Sequence, residues 1–166
     1  CFVTLTPVEL RRISLPLVSP FRTSFGAQTT RDALLVRAVT PDIEGWGECV
    51  AMLEPLYSHE YVDAAQAVIE RFLLPRLFAA GNITAGQVSG LLEPIKGHPM
   101  AKAAVEMALL DAELRLADQP LATFFGATRD RVPSGVSVGI MNSVAELIDA
   151  VGGYLDAADA SIKLKI

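Results

Sequence analysis

Residues 132–166 read as a strand, a helix and a second strand, and that order constrains the fold more than any other feature. Val132-Pro133-Ser134-Gly135-Val136-Ser137-Val138 has strand character. Ser143-Val144-Ala145-Glu146 has the Ser-x-x-Glu form of a capping box and opens a helix with Val144, Leu147, Ile148, Val151 and Leu155 on one face. Ser161-Ile162-Lys163-Leu164-Lys165-Ile166 follows as the second strand. Strands joined through a crossover helix pair in parallel, so this is a βαβ unit, which needs a parallel sheet and normally further units beside it.

The rest of the chain is of a different kind. Val8, Leu10, Ile13, Leu15 and Leu17 alternate around Arg11-Arg12, and Pro16 confines the end of that strand to a sheet edge or a bend. After an expected loop, Ser19-Pro20-Phe21-Arg22-Thr23-Ser24-Phe25-Gly26, come two strands, residues 33–39 and 45–50, joined through Pro41-Asp42 as a hairpin. Helices take over after Ser58, the expected N-cap. Tyr61, Val62, Ala65, Val68, Ile69, Phe72 and Leu73 recur at offsets of three and four until Pro75 breaks or restarts the helix. A shorter helix spans 84–92, and a long alanine-rich one spans 100–117. Its Ala101, Ala104, Ala108 and Ala112 imply close approach to a neighbouring element. A short turn of helix from Gln119-Pro120-Leu121 stops at Gly126, where glycine suits a left-handed cap.

Composition narrows the classes of partner. A chain of 166 residues is one domain, or one and part of another, at roughly 150 residues per domain. It is too short for a complete large barrel enzyme. With 51% hydrophobic residues and a mean hydropathy of +0.38 it has ample material for a core. The formal charge of −5 and pI near 5.0 give no attraction for nucleic acid or for an anionic membrane. No apolar run approaches the ~20 residues of a membrane span. Cys1 and Cys49 are too few for a disulfide framework or a cysteine metal site. Cys49 reads as core packing, and no secretory signal is visible at the start, so a cytoplasmic location is expected.

Period two puts Lys163 and Lys165 on one face of the last strand and Ile162, Leu164 and Ile166 on the other. On an exposed edge strand such lysines discourage aggregation. In the lumen of a (β/α)8 barrel, near the C-terminal ends of the strands, they would form part of an active site. Two like charges about 7 Å apart repel by about 2 kcal/mol at an effective dielectric of 20. A neutral amine relieves that cost and is able to abstract a proton. Periodicity leaves both readings open.

The Lys163-Leu164-Lys165 strand, Arg131-Val132-Pro133, the alanine-rich helix running into Leu110-Asp111-Ala112, and Gln119-Pro120-Leu121 together resemble the enolase superfamily, muconate-lactonizing subgroup. Pro20-Phe21-Arg22-Thr23-Ser24-Phe25-Gly26, Gly45-Trp46-Gly47-Glu48-Cys49 and Gly139-Ile140-Met141 resemble the o-succinylbenzoate synthases that also act as N-acylamino acid racemases. The likeness extends over essentially the whole chain. It implies an α+β capping domain over residues 1–131, an antiparallel sheet followed by helices. This is joined to the first βαβ unit of a modified (β/α)8 TIM barrel over residues 132–166, truncated.

In such enzymes the second lysine of Lys-x-Lys handles the proton alpha to a carboxylate, a role that falls to Lys165, with Lys163 assisting electrostatically. The resemblance also implies Mg²⁺, held by carboxylates at the ends of the next three strands, and a further lysine on the opposite wall. None of these is in the sequence. The 166-residue chain alone is therefore expected to be inactive, because an enolate needs charge stabilisation that the metal chiefly supplies.

Phe21, Phe25, Met52, Leu53 and Tyr57 lie on two segments flanking the hairpin and suit an acyl or aromatic group, although each also serves as a residue pinned to the domain core. Ser137 is a candidate hydrogen-bond donor to a substrate carboxylate. The expected partner is a small-molecule carboxylate, with homo-oligomerisation of the full-length enzyme.

Other motifs fail. His59-Glu60 is followed by Asp63 where a zinc-protease helix needs its second histidine. Gly45-Trp46-Gly47 lacks the third glycine of a dinucleotide site. His98 beside Pro99 reads as a helix-entry residue, and Glu48, Glu106, Asp111 and Glu113 as hydrogen-bonding or solvated groups. Dipeptide epimerase, muconate cycloisomerase and a non-catalytic capping or interaction module remain alternatives.

Overall fold

The computed structural model describes residues 7–24, 26–156 and 161–165. Cys1, Phe25 and Ile166 lie outside the described residues. The chain forms two compact units, Cys1–Leu15 with Asp32–Ala127, and Pro16–Arg31 with Thr128–Ile166.

The three-stranded sheet has the order β1-β2-β3, with β1 Val8–Thr23, β2 Gly26–Val39 and β3 Glu44–Cys49. β2 and β3 pair antiparallel from Leu34↔Cys49 to Val39↔Glu44, which is the hairpin expected from the Pro41-Asp42 turn. The Thr40 hydroxyl fixes that turn by accepting the Ile43 N–H at 3.0 Å and donating to the Ile43 carbonyl at 2.7 Å. The expected loop over 19–26 is instead strand as far as Thr23. Pro16 and Pro20 are tolerated because β1 is an edge strand and so has a side on which no donor is needed.

In the first unit, helix α1 (Val62–Val68) runs into a π-helical turn, Ile69–Leu73, and then α2 (Leu74–Ala80). The N-cap is Tyr61, without a side-chain bond. Ser58 does not cap the helix: its hydroxyl accepts the Glu60 N–H and donates to the Glu60 carbonyl, closing a short turn ahead of it. The wide turn stands immediately before Pro75, whose ring would clash with a carbonyl in a regular helix. Helix α3 (Ala85–Leu92) carries a capping box between Thr84 and Gln87.

Helix α4 (Pro99–Leu116) lies against β3, and Ala101, Ala104, Ala108 and Ala112 on it are buried. A Cβ on Gly45 would collide with the Ala108 carbonyl and the Ala112 backbone, and one on Gly47 with the Ala104 carbonyl. Glycine on the strand and alanine on the helix therefore permit the same contact. The helix ends at Asp118, in the left-handed region, with Gln119 N–H bonded to Leu114 O and Asp118 N–H to Arg115 O. α5 (Leu121–Phe124) closes in the same way on Gly126.

Leu34, Val36, Cys49, Val62, Ile69, Leu73, Leu77, Leu92 and Leu109 form one core between sheet and helices. Each large apolar side chain there contributes about 1.5–3 kcal/mol.

In the second unit, β4 (Gly135–Val138), α6 (Val144–Asp156) and β5 (Ser161–Leu164) form the βαβ unit, with β4 and β5 parallel. The Ser143 hydroxyl accepts the Glu146 N–H at 3.2 Å, while the Glu146 carboxylate reaches back to the Asn142 N–H at 3.1 Å, one residue beyond a capping box. No residue of α6 is buried, and Val144, Ile148 and Leu155 on its apolar face are exposed. Leu147 and Val151 on the same face are half-buried, and the helix lies against β4.

Candidate functional site

Parallel pairing fixes the geometry around the two lysines. The register sets Ser137 opposite Lys163 and Val138 opposite Leu164, so Ser137 and Lys163 share a face. The Lys165 N–H donates to the Val138 carbonyl at 3.1 Å and extends the ladder one position past the end of β5. Lys165 thus stands at the C-terminal end of the strand, on the same side as Lys163 and Ser137. Lys163 and Ser137 are exposed, and Lys165 is half-buried.

The partner of Lys165 is the tip of the β1–β2 hairpin, which belongs to the same unit. Its Nζ lies 4.7 Å from the centroid of the Phe21 ring, within cation–π range. The Ile140 N–H donates to the Arg22 carbonyl at 3.1 Å, and the Arg22 guanidinium donates to Asn142 Oδ1. Gly139 makes this approach possible, since a Cβ there would lie 3.1 Å from the Arg22 backbone and 3.5 Å from the Phe21 ring. The segments Pro20-Phe21-Arg22 and Gly139-Ile140-Met141, separate in sequence, therefore meet. Phe25 lies outside the described residues.

Met52, Leu53 and Tyr57 are held in the first unit, on the segment 50–60 between β3 and α1. Met52 pairs with Tyr61 through an isolated parallel bridge, and its carbonyl accepts the Val62 N–H at 2.8 Å. Met52 is half-buried, whereas Leu53 is 51% and Tyr57 74% exposed. A concavity of about 760 Å³ on the same unit is lined by Trp46, Leu110, Leu114, Leu121 and Phe125, among others. It includes none of the site residues expected from the sequence.

The strongest electrostatic cluster also lies in the first unit. Arg11 and Arg37 stand 5.6 and 5.7 Å from the Trp46 ring centroid, and the indole N–H donates to Glu44. Hydrogen bonds from Arg11, then Arg37, hold the Glu9 carboxyl below its ordinary value, and those from Arg37, then Trp46, do the same for Glu44. Arg37 is raised in turn, first by Glu44 and then by Glu9. Asp111 accepts the Trp46 backbone N–H at 2.8 Å, and Glu113 accepts that of Ala85 at 2.7 Å, so both are hydrogen-bonding residues. Cys49 is buried in the core.

Sequence reasoning missed Glu60. It is 2% exposed, and its two carboxylate oxygens accept the N–H groups of Met100 at 2.9 Å and Ala101 at 3.1 Å. The signal available was negative: α4 opens at His98-Pro99 without a capping side chain, so its first donors had to be met from elsewhere.

A Mg²⁺ site needs several oxygen ligands, usually carboxylates among them. Among the described residues no group of three His, Cys, Asp or Glu side chains is placed to hold a metal ion. The residues present do not fit the metal, and metal chemistry is not assigned to them. No helix among the described residues is long and apolar enough to cross a membrane.

The family model for the mandelate racemase / muconate lactonizing enzyme N-terminal domain matches residues 7–126. The chain belongs to this family. Within the mandelate racemase / muconate lactonizing enzyme family it is 59% identical to an N-succinylamino acid racemase from Amycolatopsis over 98% of its own length and 44% of that protein's. It is 35% identical to the o-succinylbenzoate synthase of Listeria innocua, over 95% of this chain and 42% of that one. A solved enolase-superfamily member from Listeria innocua superposes with a TM-score of 0.91 at 34% identity, covering all of this chain and 45% of the other. The chain spans less than half the length of these family relatives.

Proposed function

We propose that the complete protein abstracts the proton alpha to a carboxylate, in the dehydration that forms o-succinylbenzoate, in racemisation of N-acylamino acids, or in both. The observation that carries this reading is the lysine pair at the C-terminal end of a parallel strand, in a chain 59% identical to an N-succinylamino acid racemase. In this account a neutral Lys165 takes the proton on Nζ, the nearby cation Lys163 favours developing negative charge, and the Ser137 hydroxyl donates to the substrate carboxylate. Phe21, Phe25, Met52, Leu53 and Tyr57 are assigned to binding the acyl or aromatic part by resemblance. The boundary near residue 131, between capping domain and barrel, belongs to the same proposal. So do a menaquinone-pathway role, a cytoplasmic location and a homo-oligomeric assembly. Mg²⁺ is assigned to carboxylates other than the described ones.

The test is an assay of the complete protein on both enantiomers of N-succinylamino acids and on the dehydration substrate, before and after chelation. Racemisation or dehydration that is lost with chelator and restored by Mg²⁺ is expected. Absence of both reactions in a folded, Mg²⁺-supplied protein would overturn the reading.

A further inference from the structure

Glu60 is the one charged side chain buried to 2% among the described residues. Burying a carboxylate is costly unless its oxygens are met. Here both are met by backbone donors in the first turn of α4, from Met100 and Ala101. That turn has no cap of its own, since His98 supplies no side-chain bond and adopts a left-handed conformation. The pairing therefore satisfies two helix donors with a carboxylate at the positive end of the dipole.

Its second consequence is local to the segment 50–60. At one end this segment continues β3, where Cys49 and Ala51 are buried, and α4 lies along that same strand. At the other end Glu60 clamps it to the N-terminus of α4, and the Ser58 hydroxyl braces Glu60 through both its N–H and its carbonyl. The bridge between Met52 and Tyr61 ties the two ends together. Between them Leu53, Leu56 and Tyr57 are exposed and have no regular secondary structure to hold them. The placement of those side chains depends on the two ends.

We propose that Glu60 is a positioning residue, locking the segment 50–60 to α4 and thereby setting which acyl groups Met52, Leu53 and Tyr57 accept. This rests on the reading that these three residues face the substrate. Glu60 itself takes no part in proton transfer.

The experiment compares Met52→Ala, Glu60→Gln and Glu60→Ala in the complete enzyme. It measures KM and kcat on N-acetyl and N-succinyl substrates, with melting temperature and amide exchange at Met100 and Ala101. The Gln side chain keeps the shape but sets an NH2 donor in place of one of the two oxygens, so one of the two N–H groups loses the acceptor it faces. Expected is a shift in the ratio of the two KM values of roughly five-fold for Glu60→Gln and more for Glu60→Ala, in KM rather than kcat, with faster exchange at one or both amides. If Met52→Ala changes the ranking while the folded Glu60 variants leave it intact, the proposal is overturned and the reading of the segment stands. If Met52→Ala leaves the ranking unchanged, that reading fails and the proposal with it. Failure of Glu60→Gln to fold would show a purely structural residue and also overturn it.

Discussion

Nζ of Lys165 lies 4.7 Å from the centroid of the Phe21 ring. A residue from the first hairpin is thereby brought onto a residue at the end of the last strand. The bond from the Ile140 N–H to the Arg22 carbonyl holds the two segments together, and Gly139 leaves room for it. The contact is worth about 0.5–1 kcal/mol at a partly exposed site, too little to fold the unit but enough to orient a flexible side chain.

Replacing Phe21 should release Lys165. In NMR spectra of the chain, the Lys165 ε-methylene protons should carry an upfield ring-current shift that disappears in Phe21→Leu and persists in Phe21→Tyr. Identical shifts in the wild type and the Leu variant would mean that the contact does not persist in solution.

Two glycines, Gly47 at the contact between β3 and α4 and Gly90 in α3, should respond to alanine with opposite signs. Gly47→Ala drives a methyl into the Ala104 carbonyl and should cost about 1–3 kcal/mol or more, as overpacking does. Gly90→Ala, in α3 with open space around it, should gain about 0.5–1 kcal/mol from helix propensity. Urea unfolding of the two variants checks both. A neutral Gly47→Ala would show that the helix can move away from the strand.

Much of this was legible in the sequence because it is written in spacing. Ala101, Ala104, Ala108 and Ala112 announced a close neighbour, and Gly45-x-Gly47 turned out to be that neighbour. The Val144 to Leu155 periodicity and the flanking strands identified the βαβ unit. The features that were missed depend on partners distant in sequence. Glu60 pairs with a helix forty residues on, and no local pattern marks it. Ser58 looked like a cap, but the chain turns once more and begins its helix after Tyr61. Strand β1 runs through Pro16 and Pro20 because it is an edge, a property of sheet order and not of its own residues. For the site, Lys163 and Lys165 could be assigned to one face from alternation, but that Ser137 shares it follows from the register of β4 and β5, and the Phe21 contact had no local signal.

Acid should loosen the first unit through Glu9 and Glu44. Both carboxyls titrate below their ordinary value near 4.5, because Arg11 and Arg37 bond Glu9 while Arg37 and Trp46 bond Glu44. A depressed carboxyl contributes stability that is complete above the unfolded value and is lost as pH falls through the lower folded value. Melting temperature should therefore decline below about pH 4.5. Arg37→Gln should flatten that decline and lower stability at neutral pH. Added salt should weaken the effect, since these side chains are partly exposed. An acid decline of equal steepness in the Arg37 variant would assign it to other carboxyls.

The assignment of Lys165 as the group that moves the proton is tested most directly by alpha-proton exchange. The complete Mg²⁺-supplied enzyme is incubated with an N-succinylamino acid in deuterium oxide, and isotope incorporation is followed for each enantiomer. The wild-type enzyme should exchange both, and Lys165→Ala should lose exchange on one stereochemical face, by a factor of about 100 or more. Lys163→Ala should slow exchange on that face without abolishing it, because its contribution is charge. If the Lys165 variant, folded and still binding substrate, exchanges both enantiomers at the wild-type rate, the central assignment is contradicted.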